Sequence, residues 1–248
     1  MSANVASIIA AIGASGTGKG LFVTERARAY LGRGRRAFPI WSPLEATDRY
    51  GEKFGAAVVR SVPELVAKLK ARQAVVFVPD LTGRRIVVAG RTRKLIDVQF
   101  ELFCRAVWYT PGAVALIEEL SRVTSPSYAP PAWQNLTTAG RHQGLTIMAT
   151  AQRPAQIDKD FLGNCTEVRA YRVSYVEDAR ALASVMRERP EVFLELPDRH
   201  YRHRWIRELR TVEGVQALPG QASSDTAVQA RARVEVKKKT ARRVVKAR

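Results

Sequence analysis

The chain has 248 residues, enough for one large α/β domain or for a domain with a tail. It contains 41 Lys and Arg against 23 Asp and Glu, a formal net charge of +18, and 46% of its residues are hydrophobic. This composition indicates a folded globular protein with a polyanionic partner, either nucleic acid or an anionic membrane surface. No run of about 18 apolar residues occurs, so the sequence predicts no transmembrane helix.

Short apolar runs alternate with helical patterns along the chain. The predicted strands are residues 7–12, 36–41, 74–78, 84–89, 113–117, 145–150, 168–173 and, at an edge, 201–208. The predicted helices are residues 19–31, 63–72, 94–109, a segment that follows a proline-rich loop and runs to about residue 142, and 176–187. A polar loop is predicted through about residue 51. The alternation predicts an α/β fold with a mostly parallel sheet flanked by helices.

The composition changes near the C-terminus. From about residue 219 the chain is polar and then rich in lysine and arginine, which predicts a basic, disordered tail at 219–248 after a domain at 1–218. The two cysteines, Cys104 and Cys165, lie in apolar segments and are predicted to be buried free thiols.

A glycine-rich segment follows the first predicted strand and precedes the first predicted helix. It matches the Walker A pattern and reads Gly13, Ala14, Ser15, Gly16, Thr17, Gly18, Lys19, Gly20. Glycines allow successive backbone N–H groups to surround phosphates, the helix N-terminus adds partial positive charge, and the lysine adds a full one. We therefore predict a P-loop that binds the phosphates of a nucleoside triphosphate, with ATP as the expected nucleotide.

The residue after the Walker A lysine departs from the pattern. Ser or Thr is usual there because its hydroxyl binds Mg²⁺, whereas this chain has Gly20. Metal binding is therefore assigned to Glu118 and water.

A pair of carboxylates follows the predicted strand 113–117. This is the Walker B arrangement, with Glu118 as the candidate metal-side residue and Glu119 as the candidate general base. Two alternatives remain open: a pair that only begins a helix, and Asp80, which follows another apolar strand. Gln152, just past the strand 145–150, is the candidate for holding the attacking water or contacting the γ-phosphate.

The order of these motifs resembles the FtsK–HerA superfamily of DNA-pumping ATPases, over roughly residues 7–210. The segments that carry the resemblance are Walker A, the Glu118–Glu119 pair, residues 140–145 (GRHQGL) and residues 149–154 (ATAQRP). Residues 140–145 resemble two groups, the genome-packaging ATPases of tailless membrane-containing phages and the Zot-like phage assembly ATPases. Glutamate at 118 replaces the aspartate usual in the superfamily.

The resemblance implies a RecA-like sheet with an additional strand, ATP with Mg²⁺ at the subunit interfaces of a ring that is usually hexameric, and movement of double-stranded DNA. It also implies an arginine that reaches the γ-phosphate of the neighbouring subunit. Arg141 is the first candidate, followed by Arg122 and Arg153. Other cations could line a pore for DNA: Arg33, Arg35, Arg36, Arg84, Arg85, Arg91, Arg93, Lys94 and those of the tail.

The sequence therefore predicts an ATP-driven double-stranded DNA translocase, specifically a viral genome-packaging ATPase located in the virion or the host cytoplasm. Two alternatives stay open. One is a Zot-like assembly ATPase in peripheral contact with a membrane, and the other is a DNA-tethering protein that binds ATP without hydrolysing it. A capsid vertex or a membrane protein is a possible further partner.

Overall fold

The computed structural model describes residues 7–34, 36–43 and 48–217. Arg35 and the predicted tail at 219–248 lie outside the described residues. The strands are β1 (Ser7–Ile12), β2 (Phe38–Trp41), β3 (Ala57–Val59), β4 (Ala74–Phe77), β5 (Arg85–Val88), β6 (Arg91–Lys94), β7 (Val114–Ile117), β8 (Thr146–Ala151), β9 (Glu167–Tyr171), β10 (His200–Trp205) and β11 (Arg210–Val215). The helices are α1 (Lys19–Leu31), α2 (Asp48–Phe54), α3 (Val62–Lys70), α4 (Leu95–Trp108), α5 (Pro131–Ala139), α6 (Lys159–Asn164), α7 (Val176–Met186) and α8 (Pro190–Glu195).

Within the described part of the chain, nine strands form one sheet in the order β11-β10-β9-β1-β8-β7-β2-β4-β3. The strands from β9 to β3 are parallel, and β10 and β11 are antiparallel additions. Strand β8 lies between β1, which leads into the glycine-rich loop, and β7, which leads into the acidic pair. This sheet is the predicted P-loop NTPase sheet with an additional strand, and the prediction of fold class is confirmed.

The sheet is buried on both faces because side chains alternate along each central strand. In β1, Ile8, Ala10 and Ile12 pack into the core beneath α3–α8, and Ile9 and Ala11 pack into the core beneath α1 and α2. This two-sided burial explains why the strands read as continuous apolar runs in the sequence. Because β1, β8, β7 and β2 are parallel, their carboxyl ends lie at one edge of the sheet.

Several segments differ from the prediction, and α6, α8 and β11 are elements that the sequence did not predict. Residues 48–54 form α2 rather than a polar loop, and β3 follows it. The predicted strand 84–89 is one half of the hairpin β5–β6, whose second strand occupies the start of the predicted helix at 94. Residues 201–208 are not an edge strand, because β11 covers β10 through an antiparallel ladder.

The pairing of β11 with β10 includes an ion pair and shows no apolar alternation. Arg202 lies directly opposite Glu213, and their side chains form an ion pair of 2.6 Å. Opposite charges across an antiparallel pair stabilise it, but they leave no hydrophobic pattern in the sequence.

Cys104 and Cys165 are buried free thiols, as predicted. Burial raises the pKa of both thiols. Of the helices that the structure describes, none combines the length and the apolar character needed to cross a membrane.

Candidate active site

The glycine-rich loop, residues 13–20, connects β1 to α1 at the carboxyl edge of the sheet. The strands on either side of β1 hold it in place: Gly13 N donates to Ala151 O at 3.1 Å, and Ala14 N donates to Arg172 O at 2.8 Å. Two of the glycines are required sterically. Gly13 has a φ of 155°, and a Cβ added there would lie 2.6 Å from Tyr171 Cβ. Gly18 has a φ of 109°, and a Cβ added there would lie 2.9 Å from Gln216 Cγ. We will call these eight residues the phosphate loop.

Lys19, the first residue of α1, folds its side chain back over the phosphate loop. Its Nζ donates to the carbonyl oxygens of Gly13 at 2.7 Å and Ala14 at 2.8 Å. Burial lowers the pKa of Lys19 to about 8, and the negative charge of Glu119 partly opposes this effect. The ammonium group is thus held where the phosphates of a nucleotide would meet the loop.

The acidic pair follows β7 at the same edge, and the two carboxylates have different environments. Glu118 accepts hydrogen bonds from Ser42 Oγ at 2.6 Å and from Tyr50 Oη at 2.5 Å, one on each oxygen. Ser42 follows β2 and Tyr50 lies on α2, so neighbouring elements orient this carboxylate.

Glu119 is 7% exposed and has left-handed backbone angles, φ 50° and ψ 63°. Its N–H donates to Thr150 Oγ1 at 3.2 Å, and its Oε1 accepts from Ser121 Oγ at 2.6 Å and from the Gln152 N–H at 3.5 Å. A non-glycine residue in this conformation is strained, which is often found at functional sites. These contacts direct the Glu119 carboxylate toward the end of β8, beside Lys19.

Five of the eight predicted loop residues meet the acidic pair and Gln152 in one cavity of about 340 Å³, whereas Gly13, Ala14 and Thr17 do not line it. Its lining residues are Ser15, Gly16, Gly18, Lys19, Gly20, Leu21, Lys53, Glu118, Glu119, Thr150 and Gln152. Two cationic and two anionic side chains therefore face the same space. This arrangement suits a polyanion that arrives with a divalent cation.

Asp80 lies outside this cavity. Its Oδ1 accepts hydrogen bonds from the N–H and the hydroxyl of Thr82, at 2.8 and 2.5 Å. It therefore stabilises a turn after β4, and the geometry favours Glu118 and Glu119 as the Walker B pair.

The three candidate arginines also lie outside the cavity. Arg141 is exposed in the 3-10 turn Gly140–Gln143 before β8, at the opposite edge of the sheet. Arg153 donates to Asp178 Oδ2 at 2.5 Å, and its guanidinium lies 3.8 Å from the centroid of the Tyr175 ring. Arg122 is exposed in the turn that follows Glu119. None of them contributes to the cavity of its own subunit, and a role for Arg141 in a neighbouring subunit stays a prediction.

The side chains present fit a magnesium ion carried by a nucleotide. Mg²⁺ in such sites takes one or two carboxylates, and phosphate oxygens and water supply the remaining ligands. Glu118 offers that carboxylate. The described residues contain no cluster of three or more His, Cys, Asp or Glu, which would be needed for a site built from protein alone. Thr17 does not replace the hydroxyl missing at Gly20, because its Oγ1 is buried and donates to Ala14 O at 2.8 Å.

Sequence reasoning missed Ser42, Tyr50, Lys53 and Thr150. Ser42 carried a usable signal, since it is polar and directly follows an apolar strand beside the Walker B strand. Tyr50 and Lys53 carried none, because the helix that presents them was predicted as a loop.

Neither a protein-family model nor a curated protein sequence matches the chain. Solved structures do match. The genome packaging NTPase B204 from Sulfolobus turreted icosahedral virus 2, in complex with ATP-γS, is 16% identical over 88% of this chain and 100% of that one, with a TM-score of 0.66. The bacterial conjugative coupling protein TrwB is 12% identical over 87% and 85% of the two chains, with a TM-score of 0.59.

The N-terminal domain of zonular occludens toxin from Neisseria meningitidis also matches, with 13% identity over 87% and 96% of the chains and a TM-score of 0.45. That score is too low to support an argument. The likeness to B204 and TrwB shows that this chain shares their fold.

Proposed function

We propose that this protein is an ATPase that moves double-stranded DNA, and that its specific role is packaging a viral genome. One observation carries the enzymatic part. Lys19, Glu118, Glu119 and Gln152 converge on a single cavity at the end of the phosphate loop, on a sheet with the additional strand. The DNA part is supported by the net charge of +18 and by the fold shared with B204 and TrwB.

In this proposal the phosphate loop and Lys19 bind the β- and γ-phosphates of ATP. Backbone N–H groups of the loop and the N-terminus of α1 supply donors, and the Lys19 ammonium replaces its carbonyl partners with phosphate oxygens. Lys53 lies across the same cavity and adds a second cation on the side of the acidic pair.

Glu118 would hold a Mg²⁺ ion that arrives with the nucleotide, directly or through water. When bound, that ion neutralises charge on the phosphate oxygens and so lowers the barrier to transfer. Ser42 and Tyr50 keep Glu118 in position, since each donates to one of its oxygens.

Glu119 is the proposed general base. Ser121 and the Gln152 N–H contact Oε1, which leaves Oε2 to take the proton of the water that attacks the γ-phosphorus. The side chain of Gln152 lines the same cavity and would hold that water in line with the bond that breaks. The products are ADP and inorganic phosphate, and the proton leaves Glu119 with the phosphate.

The proposal includes a ring of subunits. No arginine belongs to the residues found to line it. An arginine that stabilises the charge of the transition state would have to come from a neighbouring copy of the chain. Arg141 remains the first candidate for that role.

The pKa of Lys19 leads to a pH-dependent prediction. Because its pKa in the ligand-free protein is about 8, the ammonium loses its proton as the pH rises through 8, and the phosphates lose their cation. ATP binding measured by calorimetry is expected to weaken about tenfold between pH 7 and pH 9. Lys19→Arg is the matched control, since a guanidinium stays charged over this range. A wild-type affinity that does not change up to pH 9 would contradict the assignment.

The test of the proposed function is ATP turnover by the full chain with and without long double-stranded DNA. Turnover is expected to rise at least fivefold with DNA. A rate that responds to anionic vesicles but not to DNA would favour the membrane-associated assembly ATPase. ATP binding with no turnover under any condition would favour the tethering protein, the alternative that Gly20 suggests.

A further inference from the structure

We propose that the hairpin β5–β6 is a binding surface for the phosphate backbone of double-stranded DNA, a proposal that rests on the proposed function. The hairpin forms a two-stranded sheet separate from the nine-stranded one. It is inserted between β4 and α4, and β4 ends at the same sheet edge as the phosphate loop. The hairpin therefore arises from the nucleotide-binding edge of the molecule.

The hairpin is strongly and exclusively cationic. Residues 81–96 contain five cations and no Asp or Glu; the cations are Arg84, Arg85, Arg91, Arg93 and Lys94. Arg93 is half-buried and the other four are exposed. Among the residues that the structure describes, no carboxylate lies within 4.0 Å of these five side chains, which distinguishes them from the paired arginines of β10. Hydrogen bonds from Thr82 and, more weakly, the charge of Arg84 lower the pKa of Asp80, so Arg84 has a carboxylate nearby. No ion pair among the described residues accounts for the charge of the other four cations.

The cross-strand pairing of the hairpin adds an energetic argument. Arg85 lies directly opposite Lys94, and like charges in that position destabilise an antiparallel pair. The turn is nevertheless well defined, because Ala89 and Gly90 have φ of 49° and 75°, as a tight two-residue hairpin turn requires. The turn therefore keeps Arg85 and Lys94 close together, and their positive charges repel each other. A bound polyanion would reduce this repulsion.

The hairpin carries cations that bind the DNA backbone, and among base edges its arginines and lysine match guanine alone. Residues 81–96 contain no Asn, Gln, Asp or Glu, the side chains that pair with adenine and cytosine. Arg91 and Arg93 lie on one face of β6, about 6.6 Å apart along the strand. That distance spans two steps of about 3.4 Å along one DNA strand. Contacts of this kind do not depend on sequence, as a translocase requires.

The hairpin is poorly suited to a membrane surface. Membrane-binding segments place large apolar side chains in the lipid beside their cations. Within residues 81–96, two large apolar side chains are exposed, Leu81 at 49% and Val87 at 71%, against five cations. We therefore assign the surface to DNA, and anionic lipid becomes an outcome of the test.

The test compares full-length variants for binding to a fluorescent 30-base-pair duplex over a series of salt concentrations. The triple variant Arg85→Gln, Arg91→Gln, Lys94→Gln is expected to bind at least tenfold more weakly at 100 mM salt. The slope of log affinity against log salt is expected to fall by about 1–2, because Arg85 and Lys94 lie on one face of the hairpin, Arg91 lies on the other, and each lost phosphate contact removes about 0.9. The charge-conserving variant Arg85→Lys, Arg91→Lys is expected to bind within about threefold of wild type.

A matched control removes the same charge elsewhere, through Arg180→Gln, Arg189→Gln, Arg207→Gln, three arginines that are also exposed. Equal losses in both triple variants would show that net charge alone drives binding and would overturn the proposal. Unchanged DNA binding by the hairpin variant would overturn it too, as would a loss confined to vesicles of anionic lipid. An unchanged shift in melting temperature with ATP verifies that the hairpin variant is folded.

The two proposals fail in different ways. If wild-type turnover rises with DNA and the hairpin variant responds equally, the hairpin assignment is wrong and the proposed function stands. If wild-type protein neither binds DNA nor responds to it, the proposed function is wrong and the hairpin assignment falls with it.

Discussion

Glu119→Gln is expected to lower ATP turnover by a factor of about 10²–10⁴ while ATP affinity stays within about threefold of wild type. Removal of a positioned general base has an effect of this size. The amide is nearly isosteric with the carboxylate, so the contacts of residue 119 with Ser121 and with the backbone of Gln152 can persist. Steady-state turnover and equilibrium binding, measured on the same preparation, separate the two effects.

Asp80→Asn is the matched control for this variant. Asp80 follows another parallel strand and is the alternative Walker B acid, but it lies outside the cavity. Its substitution is expected to leave turnover within twofold of wild type. A large loss in Asp80→Asn together with normal turnover in Glu119→Gln would reverse the assignment.

Lys19→Ala is expected to remove the stabilisation of the protein by ATP. A ligand at one hundred times its Kd stabilises a fold by about 2.7 kcal/mol, which for a domain of this size raises Tm by roughly 5–10 °C. The Tm of the variant is expected to rise by less than about 2 °C when ATP is added under the same conditions. Without ATP its Tm is expected to equal or exceed that of wild type, because burial disfavours the ammonium group, as its lowered pKa indicates.

The control for Lys19→Ala is Lys70→Ala, at an exposed lysine in the last turn of α3. The Tm of this variant is expected to rise with ATP by the same amount as that of wild type. If Lys19→Ala kept that shift as well, the phosphate loop would not be the site of nucleotide binding. A large fall in the Tm of ligand-free Lys19→Ala would instead assign Lys19 a structural role.

The central sheet could be predicted from the sequence because parallel strands buried on both faces appear as continuous apolar runs. Ile8 to Ile12, Val114 to Ile117 and Ile147 to Ala149 all follow this rule. The position of Lys19 beside the acidic pair follows from the same fact, since parallel strands place their carboxyl ends at one edge.

Other parts of the site could not be predicted, because tertiary contacts determine them. On α2, a helix of seven residues with a mixed composition, Lys53 lines the cavity and Tyr50 donates to Glu118. Gln216 packs against Gly18 and accepts hydrogen bonds from Tyr171 and Arg169, although it is 198 positions after Gly18 in the chain. The strand that precedes it, β11, forms one ion pair with β10, and no periodic pattern marks it.

The most direct test of the central claim, that ATP hydrolysis at this site moves double-stranded DNA, is displacement of a third strand. A triplex-forming oligonucleotide is bound near one end of a long duplex, and its release is followed by fluorescence. Wild-type protein is expected to release the third strand with ATP, but not with a non-hydrolysable analogue, and Glu119→Gln is expected to release none. Rapid ATP turnover by the wild type with the triplex left intact would contradict the claim.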